Sequence, residues 1–195
     1  MTSISALESV HIKGFFGDYE GKNKKNLLRL SETKNLLIIQ IVKYKDSTIS
    51  MDSIKIDNLN LENKTLNVNN NNNTRILWNA PNCWFLVSTK KELLQEIIEK
   101  FDEINFAITN LSHSRAIIEL QGENAKEVLK KGCPYNFNNI KKNNCLNSIF
   151  NGMSVTIDFL DDNPNKIRIF TLRSYGESLY HSITDSCLEF GYQSI

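Results

Sequence analysis

The stretch from Arg173 to Gly191 constrains the fold more than any other part of the chain. Ser174 and Glu177 have the Ser-x-x-Glu spacing of a capping box. In that motif the serine oxygen takes a free backbone N–H at the helix start, and the glutamate reaches back to the cap. Leu179, Ile183, Cys187 and Phe190 recur every three or four residues and so share one helical face. Gly191 stands where a left-handed residue ends a helix. The spacing predicts one amphipathic helix whose polar face carries Tyr175, Tyr180 and His181. A helix of this kind has to bury its stripe, and the rest of the chain reads as sheet for it to pack on.

A second helix has the same design: Thr89 and Glu92 as capping box, then Leu93, Leu94, Ile97, Ile98 and Phe101 as the stripe. It follows a hairpin, Ile76 to Trp78 and Trp84 to Val87, turned at Ala80-Pro81-Asn82. Leu36 to Tyr44, Phe106 to Leu111, Ser114 to Leu120, Cys145 to Phe150, Met153 to Leu160 and Lys166 to Leu172 read as strands. Asn124 to Lys131 reads as a short helix stopped by Gly132 and Pro134. Ser50 to Ile56 is a weaker helical segment. Asn69 to Asn73 is a run of asparagines with nothing apolar to bury, and reads as a flexible loop tip.

Superposing Thr89 on Ser174 and Glu92 on Glu177 also puts Trp84 on Ile169, Leu94 on Leu179 and Ile98 on Ile183. Upstream, Ile38-Ile39-Gln40-Ile41 matches Ile117-Ile118-Glu119-Leu120. The expected fold class is α+β: antiparallel sheets with helices packed on one side, built from duplicated β-α-β-β-α units. The expected organisation is an N-terminal arm over 1–34, a first α+β half over 35–111 and a second over 112–195, together one compact domain.

The charge balance excludes several functions. Lys plus Arg is 23 against 22 acids, a net charge of +1, which gives no electrostatic argument for a nucleic-acid or membrane partner. The longest apolar run, Leu36 to Val42, is broken by Gln40 and too short to span a bilayer. Met1 to Glu8 has neither a basic nor an apolar signal region, so a cytoplasmic location is expected. Cys83, Cys133, Cys145 and Cys187 form no Cys-x-x-Cys pair, and His11, His113 and His181 are scattered. Neither pattern suits a metal. A glycine-rich phosphate loop and a Gly-x-Ser-x-Gly elbow are both absent.

The residues that remain suit contacts rather than chemistry. Phe15 and Phe16 lie between polar segments, as interface anchors do. Arg173 stands just before the last helix and is placed to clasp a carboxylate, or to make a surface ion pair beside the cap. Arg115 is similar. Trp78 and Trp84 are core or anchor. Asp161-Asp162 is explained by turn chemistry. Asp158 is the one acid on a strand that could meet a pterin ring, against a plain solvated position.

Several of these segments carry a resemblance. Arg173-Ser-Tyr-Gly-Glu-Ser-Leu-Tyr180, ending in Glu189-Phe190-Gly191, resembles the C-terminal helix of the gamma subunit of heterotetrameric sarcosine oxidase. So does Leu111-Ser-His-Ser-Arg115 with the block Gly122 to Pro134. Cys145-Leu-Asn-Ser148 is similar to that family's Cys-x-x-Thr strand. Asn79 to Leu86 is similar to its Gly-Pro-Asp-Glu-Trp-Leu hairpin, with glycine, aspartate and glutamate replaced. The match spans about residues 75–191.

The resemblance implies a fold similar to the folate-binding part of the glycine-cleavage T-protein. It implies a non-catalytic gamma subunit bracing the large alpha subunit of a heterotetramer that oxidatively demethylates sarcosine to glycine, in sarcosine and one-carbon metabolism. FAD, FMN, NAD, tetrahydrofolate and zinc would be held by the alpha, beta and delta subunits and none by this chain. No catalytic, cofactor or metal residue is then expected here, and Phe15, Phe16, Arg173, Tyr175, Tyr180 and His181 are the candidate contacts. The alternatives are a stand-alone folate-binding protein of T-protein type and the equivalent subunit of an N-methylglutamate dehydrogenase-type complex.

Overall fold

The computed structural model describes residues 4–51 and 54–195. In chain order the strands begin with β1 (Gly14–Phe16), β2 (Leu28–Glu32), β3 (Leu37–Lys43), β4 (Lys55–Ile56), β5 (Leu59–Asn60), β6 (Val68–Asn70), β7 (Thr74–Ala80) and β8 (Cys83–Ser88). Helix α1 (Leu93–Lys100) follows, then β9 (Phe106–Asn110), β10 (Arg115–Gln121) and α2 (Ala125–Gly132). The chain closes with β11 (Cys145–Phe150), β12 (Met153–Asp162), β13 (Asn165–Leu172), α3 (Gly176–Cys187) and β14 (Tyr192–Ser194). Two compact units result. One holds Met1–Lys34, Ser114–Lys142 and Asn147–Ile195; the other holds Asn35–His113 and Asn143–Leu146.

The first unit is built on a seven-stranded sheet in the order β1-β14-β2-β10-β13-β12-β11. All its described pairings are antiparallel except β14 with β2. Helices α2 and α3 pack on each other, α2 against β13 and α3 against β10 and β13. They cover Ile118, Leu120, Ile167 and Ile169, none of which is exposed. Residues 1–34, read above as an arm, supply β1 and β2, and Leu7 is wholly buried. Leu28-Arg29-Leu30 alternates inward and outward as a half-buried strand must.

The second unit has a five-stranded antiparallel sheet, β6-β7-β8-β3-β9. One face, with Leu37, Ile39, Ile41, Trp84 and Leu86, packs on Leu93, Ile97 and Phe101 of the helix and on Ile56, Leu59 and Leu61. Every residue of β8 is buried, as a sheet covered on both faces requires.

The duplication is visible in strand order. β11-β12-β13-β10-β2 in one sheet repeats β6-β7-β8-β3-β9 in the other. Leu37 to Val42 and Ala116 to Gln121 share one burial pattern, which supports the Ile38–Ile117 correspondence. The ladders then place Trp84 opposite Ile41, and Ile167 opposite Leu120. Trp84 therefore corresponds to Ile167, two residues before the Ile169 that motif spacing selects. The difference is taken up where β13 enters α3 through a 3-10 turn, Arg173–Tyr175.

That turn also removes one expected capping box. Ser174 is already helical, Tyr175 is the N-cap, and no side-chain cap bond forms. At α1 the N-cap is Glu92, again without a side-chain bond, while Ser88 Oγ accepts the Lys90 N–H at 3.0 Å. Ile98, expected in the stripe, is 55% exposed, because Leu93, Ile97 and Phe101 already span the buried face. Of the segment expected to be helical over 50–56, residues 52 and 53 lie outside the described residues, and Lys55–Ile56 is a strand.

The asparagine tract is ordered, not a free tip. Asn69 and Asn70 belong to β6. Asn71 Oδ1 accepts the N–H groups of Asn73 and Thr74, both at 2.9 Å. Asparagine side chains can replace backbone partners in tight turns, so a polar tract needs no apolar group to be held. Among the described residues no helix is long and apolar enough to cross a membrane.

Candidate functional site

The end of β13 delivers Arg173, Ser174 and Tyr175 to the surface of the first unit as one 3-10 turn. The Arg173 backbone N–H donates to Ser114 O at 2.9 Å, which ties the turn to the start of β10. The Arg173 guanidinium donates to the backbone carbonyl of Ile4, so its charge clasps the chain's own N-terminal segment. Tyr175 is 44% exposed, and Ile4 and Leu172 are exposed as well.

The other expected contact residues divide. His181 lies exposed one turn on, 3.9 Å from Glu177. Tyr180, expected on the polar face, points inward at 4% exposure, with its hydroxyl 3.3 Å from Ser194 Oγ. It lies three and seven residues before Ile183 and Cys187, so it shares their stripe. Burial pushes its phenol upward, with the Ser194 bond pulling the other way. Phe15 and Phe16 sit on edge strand β1, both half-buried. Phe16 stacks on Tyr192 at 5.3 Å, while Phe15 meets Tyr19 and lies under Lys24. Phe15 and Phe16 are thus some distance along the sheet from the Arg173 turn, and the structure does not gather the six residues into one cluster.

The acids and thiols have been drawn into packing. Asp158 is wholly buried, opposite Arg168 in the β12–β13 ladder, and Glu119 is opposite Arg168 on the other side. Arg168 donates to Glu119 at 3.2 Å. Burial pushes the Cys133 thiol to about 11 and the Cys187 thiol to about 12, which leaves both protonated and unreactive at neutral pH. Burial also lowers the Arg115 guanidinium. Trp84 is wholly buried with its indole N–H on Glu62 O at 2.8 Å; Trp78 is half-buried with its own on Asn63 at 3.0 Å. Among the described residues no three His, Cys, Asp or Glu converge as metal ligands.

Sequence reasoning passed over two features. His11 rests against Tyr180 at 5.6 Å with a buried, unpartnered Nε2, and burial lowers its pKa. In the second unit Asp57 takes Lys90 at 2.6 Å and Thr74 Oγ1 at 2.6 Å, and Thr74 meets Ser88 at 2.8 Å. Neither carries a local signature, because each depends on partners remote in sequence.

The fold has solved counterparts. A heterotetrameric sarcosine oxidase from Corynebacterium sp. U-96, in complex with pyrrole 2-carboxylate, aligns with a TM-score of 0.76 at 19% identity, over 87% of each chain. The glycine cleavage system aminomethyltransferase T from Bartonella henselae aligns with a TM-score of 0.57 at 13% identity, over 83% of this chain and 46% of that one. No curated protein sequence matches the chain. The family model for the sarcosine oxidase gamma subunit matches residues 51–189, most of both duplicated halves, and the chain belongs to that family.

Proposed function

We propose that this chain is the non-catalytic gamma subunit of a sarcosine-oxidase-like flavoprotein complex that oxidatively demethylates sarcosine to glycine. Its role is to brace the large alpha subunit, with beta and delta subunits in the same cytoplasmic assembly. The observation that carries this reading is the family match over residues 51–189. FAD, FMN, NAD, tetrahydrofolate and zinc belong to the partner subunits in this scheme. In support, burial moves the Cys133 and Cys187 thiols away from neutrality, and the one strand acid with a candidate ligand role, Asp158, is sealed in a ladder. An activated nucleophile or base needs the opposite arrangement: a reachable group tuned toward working pH.

Co-expression with a large flavoprotein subunit of the same enzyme class tests the proposal. The chain is expected to co-elute with the flavin absorbance on size-exclusion chromatography. Elution of the chain as a clean monomer, with all flavin elsewhere, would refute it. Calorimetric titration with a reduced folate separates the stand-alone alternative: a Kd below about 100 μM for the isolated chain would favour that alternative.

A further inference from the structure

The first unit carries a trough that none of the expected contact residues lines. Two shallow depressions, of about 250 and 190 Å³, share Asn26, Leu27 and Glu123 and so run into one another. Phe190 stands at one end and Pro164 at the other. Lys25, Asn26 and Arg29 line it from the β2 side of the sheet, and Gln121 and Glu123 from the β10 side. Gly122 lines the second depression with φ of +141°, and a Cβ there would stand 2.9 Å from Leu28 Cδ2, so the backbone approach depends on glycine.

The charges around this trough are unevenly satisfied. Asp18 holds Lys22 at 2.8 Å, Glu189 holds Lys131 at 2.9 Å, and Glu119 holds both Lys166 and Arg168. Lys25 and Arg29 are exposed and make no ion pair among the described residues. Arg29 is directly opposite Gln121 and Gln193 in the sheet, and Glu119, the nearest acid on that face of β10, is already held by Lys166 and Arg168. Glu123 is the single acid on the walls, against two unpaired cations. The remaining polar lining is Lys22, which is paired with Asp18, and the amides Asn23, Asn26, Asn124 and Gln121. Amides both donate and accept, which suits the alternating N–H and C=O groups of an extended backbone. Guanidinium and ammonium groups between them suit carboxylates.

We propose, resting on the subunit reading above, that this trough receives an extended acidic segment of a partner subunit. Arg29 and Lys25 take its carboxylates, and the amide walls take its backbone. The run of connected depressions favours an extended chain over a compact small anion.

The test uses the co-expressed complex. In the wild-type assembly a zero-length carbodiimide should couple the Lys25 amine to an Asp or Glu of another subunit, read by mass spectrometry. The K25E/R29E variant should assemble with a Kd raised about tenfold at low salt, and most of that gap should close in high salt. A charge-matched control on the second unit, K45E/K91E, should shift it less than about twofold. Circular dichroism and melting of each variant check the fold, and K25Q/R29Q replaces the reversal if that variant unfolds. The proposal is overturned if K25E/R29E binds like the control, or if Lys25 couples only within its own chain or to a second copy. If the wild-type chain fails to assemble at all, the subunit reading falls and takes the trough with it. If it assembles and the variant matches the control, only the trough falls.

Discussion

Replacing Asp57 by asparagine should measure what pins the β4–β5 hairpin to the sheet of the second unit. Asp57 Oδ1 takes Lys90 Nζ at 2.6 Å, and Oδ2 takes Thr74 Oγ1 at 2.6 Å and Asn71 Nδ2 at 3.0 Å. The hydrogen bond from Lys90, then that from Thr74, holds its carboxyl at about 2 against an ordinary 3.8. At about 1.4 kcal/mol per pKa unit, the ionised form is favoured by at most about 2.5 kcal/mol. Lys90 is 34% exposed and partly screened by water, so we expect D57N to lose about 1–2 kcal/mol. For a chain of this length that is about 2–8 °C in Tm. Asparagine is the right probe because Asp57 has φ of +49°, a region asparagine tolerates, so the backbone adds little strain. The sign follows from the depressed pKa. The stabilisation is complete above pH 4, where the unfolded carboxyl is also ionised, and disappears as pH falls toward 2. Urea unfolding of both proteins from pH 7 to pH 3 provides the assay. A wild-type advantage that stayed constant down to pH 3, or was absent at pH 7, would show that the ion pair is not the source of stability.

Other perturbations read other parts of the structure. At Gly191, φ is +71° and a Cβ would stand 2.4 Å from Asp18 O, so G191A should cost about 2–4 kcal/mol. At Gly21, φ is +74° with nothing within 4 Å, so G21A should cost only about 1 kcal/mol, and equal losses would remove the claimed close approach. Cys133 and Cys187 should resist alkylation at pH 8 in the native protein and react at ordinary thiol rates in denaturant. Rapid native labelling of either would show that the helix–sheet interface is open. Because both thiols are raised above their ordinary value, their ionisation in the unfolded chain should lower native stability as pH rises beyond about 9.

Local patterns located most elements. The hairpin 74–88 was legible because Pro81-Asn82 separates two apolar runs, and Asn82 indeed takes a positive φ of 57°. α2 was legible from its stripe and from Gly132-Cys133-Pro134. The capping boxes were misleading because spacing cannot tell that a strand will pass straight into a 3-10 turn and make Ser174 helical before it could cap. Tyr180 was misplaced because a phenol reads as polar until a hydroxyl partner, here Ser194, is brought to it. The trough was invisible for a related reason: Lys25 and Arg29 look like ordinary surface cations, and only the neighbouring strands show that glutamines stand directly opposite Arg29 while the nearby Glu119 is taken by other cations.

The sequence by itself determined the longer strands and the three helices, most of their apolar positions, and the repeat of the unit, but not the short strands at 14–16, 28–32 and 55–60. It did so because periodicity and turn chemistry act over a few residues. Only the tertiary structure decided which strands pair. β2 runs into β3 along the chain yet bonds β10, and β9 runs into β10 yet bonds β3. Each sheet thus includes a strand that leads, along the chain, directly into a strand of the other sheet. A ladder bond joins residues far apart in sequence, and its partner is selected by burial of whole faces, which no local window contains. The helix at Arg173–Gly191 shows both levels. Its stripe was written in the spacing, but its first turn, its inward tyrosine and the Asp18 backbone packed on Gly191 were set by what folded against it.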